Sequence, residues 1–241
     1  VVGGGLIGVE TCEALTLAGI QVTLVELLPQ ILTFLDPQLA KVVERHMQSK
    51  GVNVITDNGV KAFTGKNGRL TGVTLSDGTE LDCGTAVIAA GVRPNTELAR
   101  EAGLSIGDLG GIAVDTHMRT SDPDIYAAGD CVEVRDRLTS GKTLAPYGDL
   151  ANLQGRVAAD NVVSGDHSEF PGTIHTGICK IFDFTAASTG LSEQRAREAG
   201  LTVESVLRAG PDVPHFMGAR LLITKIVAEK KTGKLLGVQC A

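Results

Sequence analysis

Residues 1–10 read VVGGGLIGVE. Two apolar residues of strand character run into Gly3, Gly5 and Gly8, spaced G-x-G-x-x-G, and a helical pattern follows. Each glycine has its own use in such a turn. The first permits the tight bend, the second lets a pyrophosphate approach the backbone, and the third lets the helix pack close to the strand. Free N–H groups and the helix dipole at that point favour negative charge. A strand, IQVTLVE, comes next and ends in Glu26, 18 residues past Gly8. An acid there can accept both ribose hydroxyls of NAD and would repel the extra phosphate of NADP. The fingerprint by itself leaves NAD and FAD open.

Outward from this turn the chain keeps an α/β rhythm. Ile7, Ala14, Leu15 and Ala18 are expected on the buried face of the first helix, with Gly19 past its end. Asp36 is placed to cap the second helix, Pro37 fits its first turn, and Gly51 ends it. Leu39, Val42, Val43 and Met47 form its apolar stripe. After the strand VNVIT the pattern turns antiparallel, with tight-turn pairs at Asn67-Gly68 and Asp77-Gly78. TAVIAAG, residues 85–91, then reads as a buried strand.

Further on, GIAVD and DIYAAGD read as strands and residues 150–165 as a helix. Leu150, Leu153, Val157 and Ala158 should face inward, and Gly165 should end it. A last unit begins near Phe170. It holds strand-like TGICKIFDF, a short helix capped by Ser192, and three strands, the last two joined at Thr232-Gly233.

Composition narrows the class. Of the 241 residues 43% are apolar, enough for one or two sizeable cores. Thirty glycines and no Trp suit tight turns and close backbone approaches. The net charge of −6, without a basic run, speaks against nucleic acid or an anionic membrane as partner. No apolar stretch approaches the ~20 residues of a membrane span. Cys12, Cys83, Cys131, Cys179 and Cys240 form no CxxC or zinc spacing, so no metal site is expected. They read as reduced, mostly buried thiols of a cytoplasmic protein.

Two further phrases, IAAGVRPN and DIYAAGD, complete a resemblance. Together with the fingerprint they resemble the pyridine nucleotide-disulfide oxidoreductases, flavoproteins with two dinucleotide sites, over essentially the whole chain. The third unit, with KIFDFTAASTGLSE, and the segment APYGDLANLQGRVAADNV are most similar to the branch of coenzyme A-disulfide reductases, NADH oxidases and persulfide or polysulfide reductases. That resemblance implies an α/β fold in three parts. Residues 1–109 would be a Rossmann-like NAD(H) domain with a parallel sheet and an antiparallel meander. Residues 110–168 would be the second half of an FAD domain, and 169–241 part of an α+β dimerisation domain. The first FAD half, with the redox cysteine, would lie upstream, so this chain alone is expected neither to hold FAD stably nor to be active.

The resemblance also assigns roles. Gly3, Gly5 and Gly8 would hold the NADH pyrophosphate and Glu26 its adenosine ribose. Glu10, expected on the first helical turn, would approach the nicotinamide and flavin edge. Ala90 and Gly91 match a small-residue turn passing close to the dinucleotide. Gly129 and Asp130 match the FAD signature, the Asp accepting from a ribityl hydroxyl, and Gly148 falls where backbone approaches the flavin. The implied reaction carries hydride from NADH to FAD and electrons on to a disulfide, persulfide or related acceptor, or to oxygen. A homodimer is implied for the full-length protein. One stretch departs from the branch: PHFMGA, residues 214–219, puts His215 and Phe216 where a tyrosine pair is common, which puts coenzyme A disulfide in doubt as substrate. An NADH oxidase or peroxidase of the same architecture, and an inactive NAD-binding fragment, are the competing readings. A third places FAD on the Gly3 fingerprint itself.

Overall fold

The computed structural model describes residues 1–139 and 141–241. In chain order its elements are α1 (Leu6–Leu17), β1 (Thr23–Val25), α2 (Pro37–Ser49), β2 (Asn53–Ile55), β3 (Val60–Lys66), β4 (Arg69–Leu75), β5 (Glu80–Asp82), α3 (Glu97–Glu101), β6 (Ile112–Ala113), β7 (Val132–Arg135), β8 (Lys142–Leu144), α4 (Gly148–Ser164), β9 (Thr176–Ile181), β10 (Phe184–Gly190), α5 (Glu193–Glu198), β11 (Val203–Pro211), β12 (Leu221–Glu229) and β13 (Leu235–Cys240). Contacts group them into two compact units: Val1–Gly91 with Thr176–Ala241, and Val92–His175.

In the first unit β1 and β2 pair in parallel, and Val2 bridges Val25 on one side and Ile88 on the other. The order β2, β1, Val2, Ile88 is that of one half of a doubly wound nucleotide-binding sheet. Position 88 is therefore the edge, and this corrects the expected buried strand at 85–91. Ile88 is 59% exposed, and among the described residues the segment joins the sheet only through Val2 N to Val87 O and Ala89 N to Val2 O. β3, β4 and β5 form the antiparallel meander. Asn67 and Gly68 both take positive φ, 54° and 74°, as a two-residue hairpin requires.

The helices pack on this sheet with one correction. In α1 the buried positions are Gly8, Val9 and Cys12, whereas Ile7, Ala14 and Ala18 are exposed and Leu15 is half-buried. This helix is apolar nearly all round, so its periodicity carries little directional signal. In α2 the stripe is strong, and Leu39, Val43 and Met47 are fully buried, with Val42 half-buried. Each of these three side chains contributes about 1.5–3 kcal/mol of burial.

The C-terminal sheet has the order β11-β12-β13-β10-β9 and is antiparallel throughout. Its Cys179, Ile181, Phe182 and Ala186 share one core with α1, α2 and residues 31–35. Ser192 caps α5, its Oγ accepting from Arg195 N at 3.2 Å. Asp36, in contrast, makes no cap bond to α2. Its carboxylate accepts from Glu193 N (3.0 Å) and Gln194 N (3.3 Å), so it serves the start of α5, over 150 residues away in sequence.

In the second unit β6 pairs in parallel with β7, and β7 antiparallel with β8. The stretch 124–130 is a turn with one bridge at Tyr126 rather than a strand. On α4 Leu153 is 50% exposed, while the deeply buried residues are Gln154 and Asn161. They lie seven apart, on one helical face. Gly165 ends α4 with φ 79°.

Candidate functional site

The first unit draws Gly3, Gly5, Gly8 and Glu26 around one turn. Gly3 has φ 104°, and a Cβ there would run into the carbonyl of Ala89. Gly8 sits against Gly3, whose carbonyl oxygen occupies the place of a Cβ. Gly5 differs: a Cβ there would meet nothing within 4 Å. Two glycines thus answer to the protein's own packing, and the middle one borders open space.

Gly5 also begins α1. No side chain caps the helix, and its first turn carries no acid. The first intrahelical bond runs from Val9 N to Gly5 O (3.0 Å), which leaves the amides of Leu6 and Ile7 ahead of the helical ladder. Positive dipole and unused donors therefore face the space beside Gly5.

Glu26, just after β1, flanks the same turn. It is 9% exposed, and its carboxylate accepts from Gly4 N and from Leu28 N, the latter at 2.8 Å. The acid is thereby oriented by the turn it flanks. Ala90 and Gly91 (φ 105°) are exposed at the edge beside Gly3. Glu10 is the fifth residue of α1 and exposed, beyond the first turn where it was expected. The helix dipole therefore does not account for it. Its charge adds to burial in pushing the Cys179 thiol up to about 11.

In the second unit Gly129 takes φ 93° and donates its N–H to Gln154 Oε1 at 2.7 Å, tying its turn to α4. Asp130 is exposed, and among the described residues no hydrogen bond to it is found. It follows a turn rather than the expected strand. Gly148, exposed, opens α4, which no side chain caps. Gln154 and Asn161 escaped sequence reading. Asn161 accepts from His167 N and Ser168 N and donates to the carbonyls of His117 and Ser168, so all its polar capacity is used.

Among the described residues no set of three His, Cys, Asp or Glu is placed to hold a metal. All five cysteines are free. Cys12 and Cys179 are buried and Cys83, Cys131 and Cys240 half-buried, fewer fully buried than expected. Burial pushes the Cys12 thiol up to about 11 as well, so it is poorly suited to attack as a thiolate. His215 and Phe216 lie in an exposed 3-10 turn, His215–Met217.

The profile of the pyridine nucleotide-disulphide oxidoreductases matches residues 1–148, and that of their dimerisation domain matches 176–241. The chain belongs to the pyridine nucleotide-disulphide oxidoreductase family. It is 40% identical to an NADH oxidase of Methanocaldococcus jannaschii over 241 residues, 99% of this chain and 53% of that protein. It is similar to the structure of an NAD-dependent persulfide reductase from A. fulgidus (TM-score 0.96, 42% identity, 99% of this chain and 44% of that one). It is also similar to an FAD-dependent pyridine nucleotide-disulphide oxidoreductase from Desulfovibrio vulgaris (TM-score 0.89, 36% identity, 99% and 58%). The chain spans about half the length of the curated relatives it matches.

Proposed function

We propose that this chain is the nucleotide-binding and C-terminal part of an FAD-dependent oxidoreductase. That enzyme would pass reducing equivalents from NADH to a disulfide, persulfide or related acceptor. The observation that carries the reading is the open space at Gly5, bordered by the uncapped start of α1 and by Glu26. When bound, the two cofactors supply hydride and electron transfer. The chain's own residues bind and orient. The amides of Leu6 and Ile7 would meet the NADH pyrophosphate at Gly5. Glu26 keeps lone pairs beyond its two backbone bonds and would take the adenosine ribose hydroxyls. Ala90 and Gly91 would pass the dinucleotide as small residues, and Glu10 would lie toward the nicotinamide. Gly129, Asp130 and Gly148 would contribute to the flavin site.

On this reading 1–109 is the NAD(H) domain, 110–168 the second FAD half and 169–241 part of the dimerisation domain. The match over 176–241 supports a homodimer of the whole protein. A cytoplasmic location fits the five free cysteines, and among the described residues no helix is long and apolar enough to cross a membrane. A second reading, an NADH oxidase of the same architecture with oxygen as acceptor, is favoured by the Methanocaldococcus relative.

The test is Glu26→Ala, titrated with NADH and NADPH. Hydrogen bonds to a charged group contribute about 1.5–3 kcal/mol, so NADH affinity should fall roughly tenfold or more. Discrimination against NADPH should shrink with it. An unchanged NADH/NADPH preference would remove Glu26 from the site.

A further inference from the structure

Residues 27–35 connect Glu26 to Asp36 without helix or strand. They nevertheless lie against the glycine turn. Leu32 N donates to Gly4 O at 2.8 Å, and the Ile31 side chain occupies the space a Cβ on Gly4 would need. Leu28 N holds one oxygen of Glu26, and Asp57 N holds the carbonyl of Leu28 (3.0 Å). Ile31, Leu32 and Leu35 are buried, and Leu32 adopts φ 48°, a left-handed conformation that costs a branched residue about 1–2 kcal/mol. Such a segment persists only where its surroundings over-determine it.

The far end is tied down by Asp36, 1% exposed. Its amide donates to Gln239 Oε1 (2.7 Å), and its carboxylate accepts from Gln239 Nε2 (2.8 Å) as well as from the α5 amides. Lys225 Nζ, also on a buried side chain, stands 3.0 Å from Asp36 and 2.9 Å from Glu193, and reaches Gln38 Oε1 at 3.3 Å. A buried ion pair is weak as a source of stability, since well-packed apolar residues often do as well. What this one provides is a fixed place for the chain at residue 36. The carboxylate joins α5, β12 and β13 to the segment that covers the glycine turn.

We propose that Asp36 is a positioning residue for the nucleotide site: anchored on Lys225, Gln239 and the start of α5, it holds residues 27–35 against Gly4 and thereby sets the place of Glu26. The role rests on the reading of the glycine turn as the NADH site. With the anchor loosened, Glu26 is correctly placed in only a fraction of molecules, and apparent affinity falls by that fraction.

The experiment compares Asp36→Asn with Val227→Ala, a buried β12 control remote in sequence from the segment, and with Gln239→Met, which removes two bonds to Asp36 and leaves Lys225 paired. Each variant is measured for melting temperature, NADH affinity and hydrogen exchange at the amides of Gly4, Leu28 and Leu32. Asp36→Asn should speed exchange at all three and raise the NADH Kd roughly tenfold. Gln239→Met should do the same to a smaller degree and stands in should the first variant fail to fold. Val227→Ala should lower the melting temperature while leaving exchange at the three amides and the Kd unchanged. Unchanged exchange and affinity in the folded anchor variants, or an equal rise in Kd for Val227→Ala, would overturn the proposal. Should the unaltered chain not bind NADH, the reading of the site falls, and the exchange arm still decides whether Asp36 holds the segment.

Discussion

The three glycines of the opening turn are alike in sequence and unlike in surroundings, and substitution should separate them. A Cβ at Gly8 has the Gly3 carbonyl in its way, and that carbonyl is backbone rather than a flexible side chain that can move aside. Gly8→Ala should therefore destabilise the protein by about 1–3 kcal/mol, the cost of overpacking, read by urea unfolding. Gly5 has φ −74°, which alanine adopts freely, and no neighbour in reach. Gly5→Ala should leave stability nearly unchanged and weaken NADH binding. A stability loss at Gly5 equal to that at Gly8 would contradict the distinction. The spacing of these residues was legible in the sequence together with Glu26, because apolar residues precede the glycines, a helix follows them and the next strand ends in an acid. The bonds that orient Glu26, from Gly4 and Leu28, were not, since backbone donors carry no residue signature.

Among the elements, α5 shows how far local punctuation reaches. Ser192 and the turn at Thr232-Gly233 could be placed from sequence because each acts on its neighbours. Asp36 could not, because its partners are over 150 residues away. The buried polar residues on α4 were missed for a related reason: helix reading looks for an apolar stripe, and Gln154 and Asn161 are buried through bonds to backbone outside the helix. Glu193, at the first turn of α5, makes a pH prediction. The Ser205 hydroxyl, then Lys225 and Arg197, hold its carboxyl at about 2, below the ordinary 4.5. A carboxylate depressed in the folded state adds stability that is complete above the unfolded value and is lost as pH falls through the folded one. Stability should therefore drop between about pH 4.5 and about pH 2. Glu193→Gln should flatten that part of the profile, followed by denaturant melts at stepped pH. A profile unchanged by the substitution would show that Glu193 is not held by these partners.

For the molecule as a whole, each compact unit has its own core and its own glycine turn against a helix. In the first, α1, α2 and the C-terminal sheet share apolar residues. In the second, Ile112, Val114, Met118, Val132 and Val134 cluster under α4. The α/β character was readable from the order of turns and helices, and the family from the resemblance carried by the fingerprint with IAAGVRPN and DIYAAGD. The packing of residues 176–241 with the opening sheet was not, since no local pattern reports which distant surface a sheet will cover. The central claim, a nicotinamide nucleotide across the glycine turn, is tested most directly by titrating isotope-labelled chain with NADH and following backbone amide resonances. The account predicts that the amides of Gly5, Leu6 and Ile7 shift first and saturate together, and that Gly5→Ala weakens the effect. Saturation with those amides unmoved would contradict it.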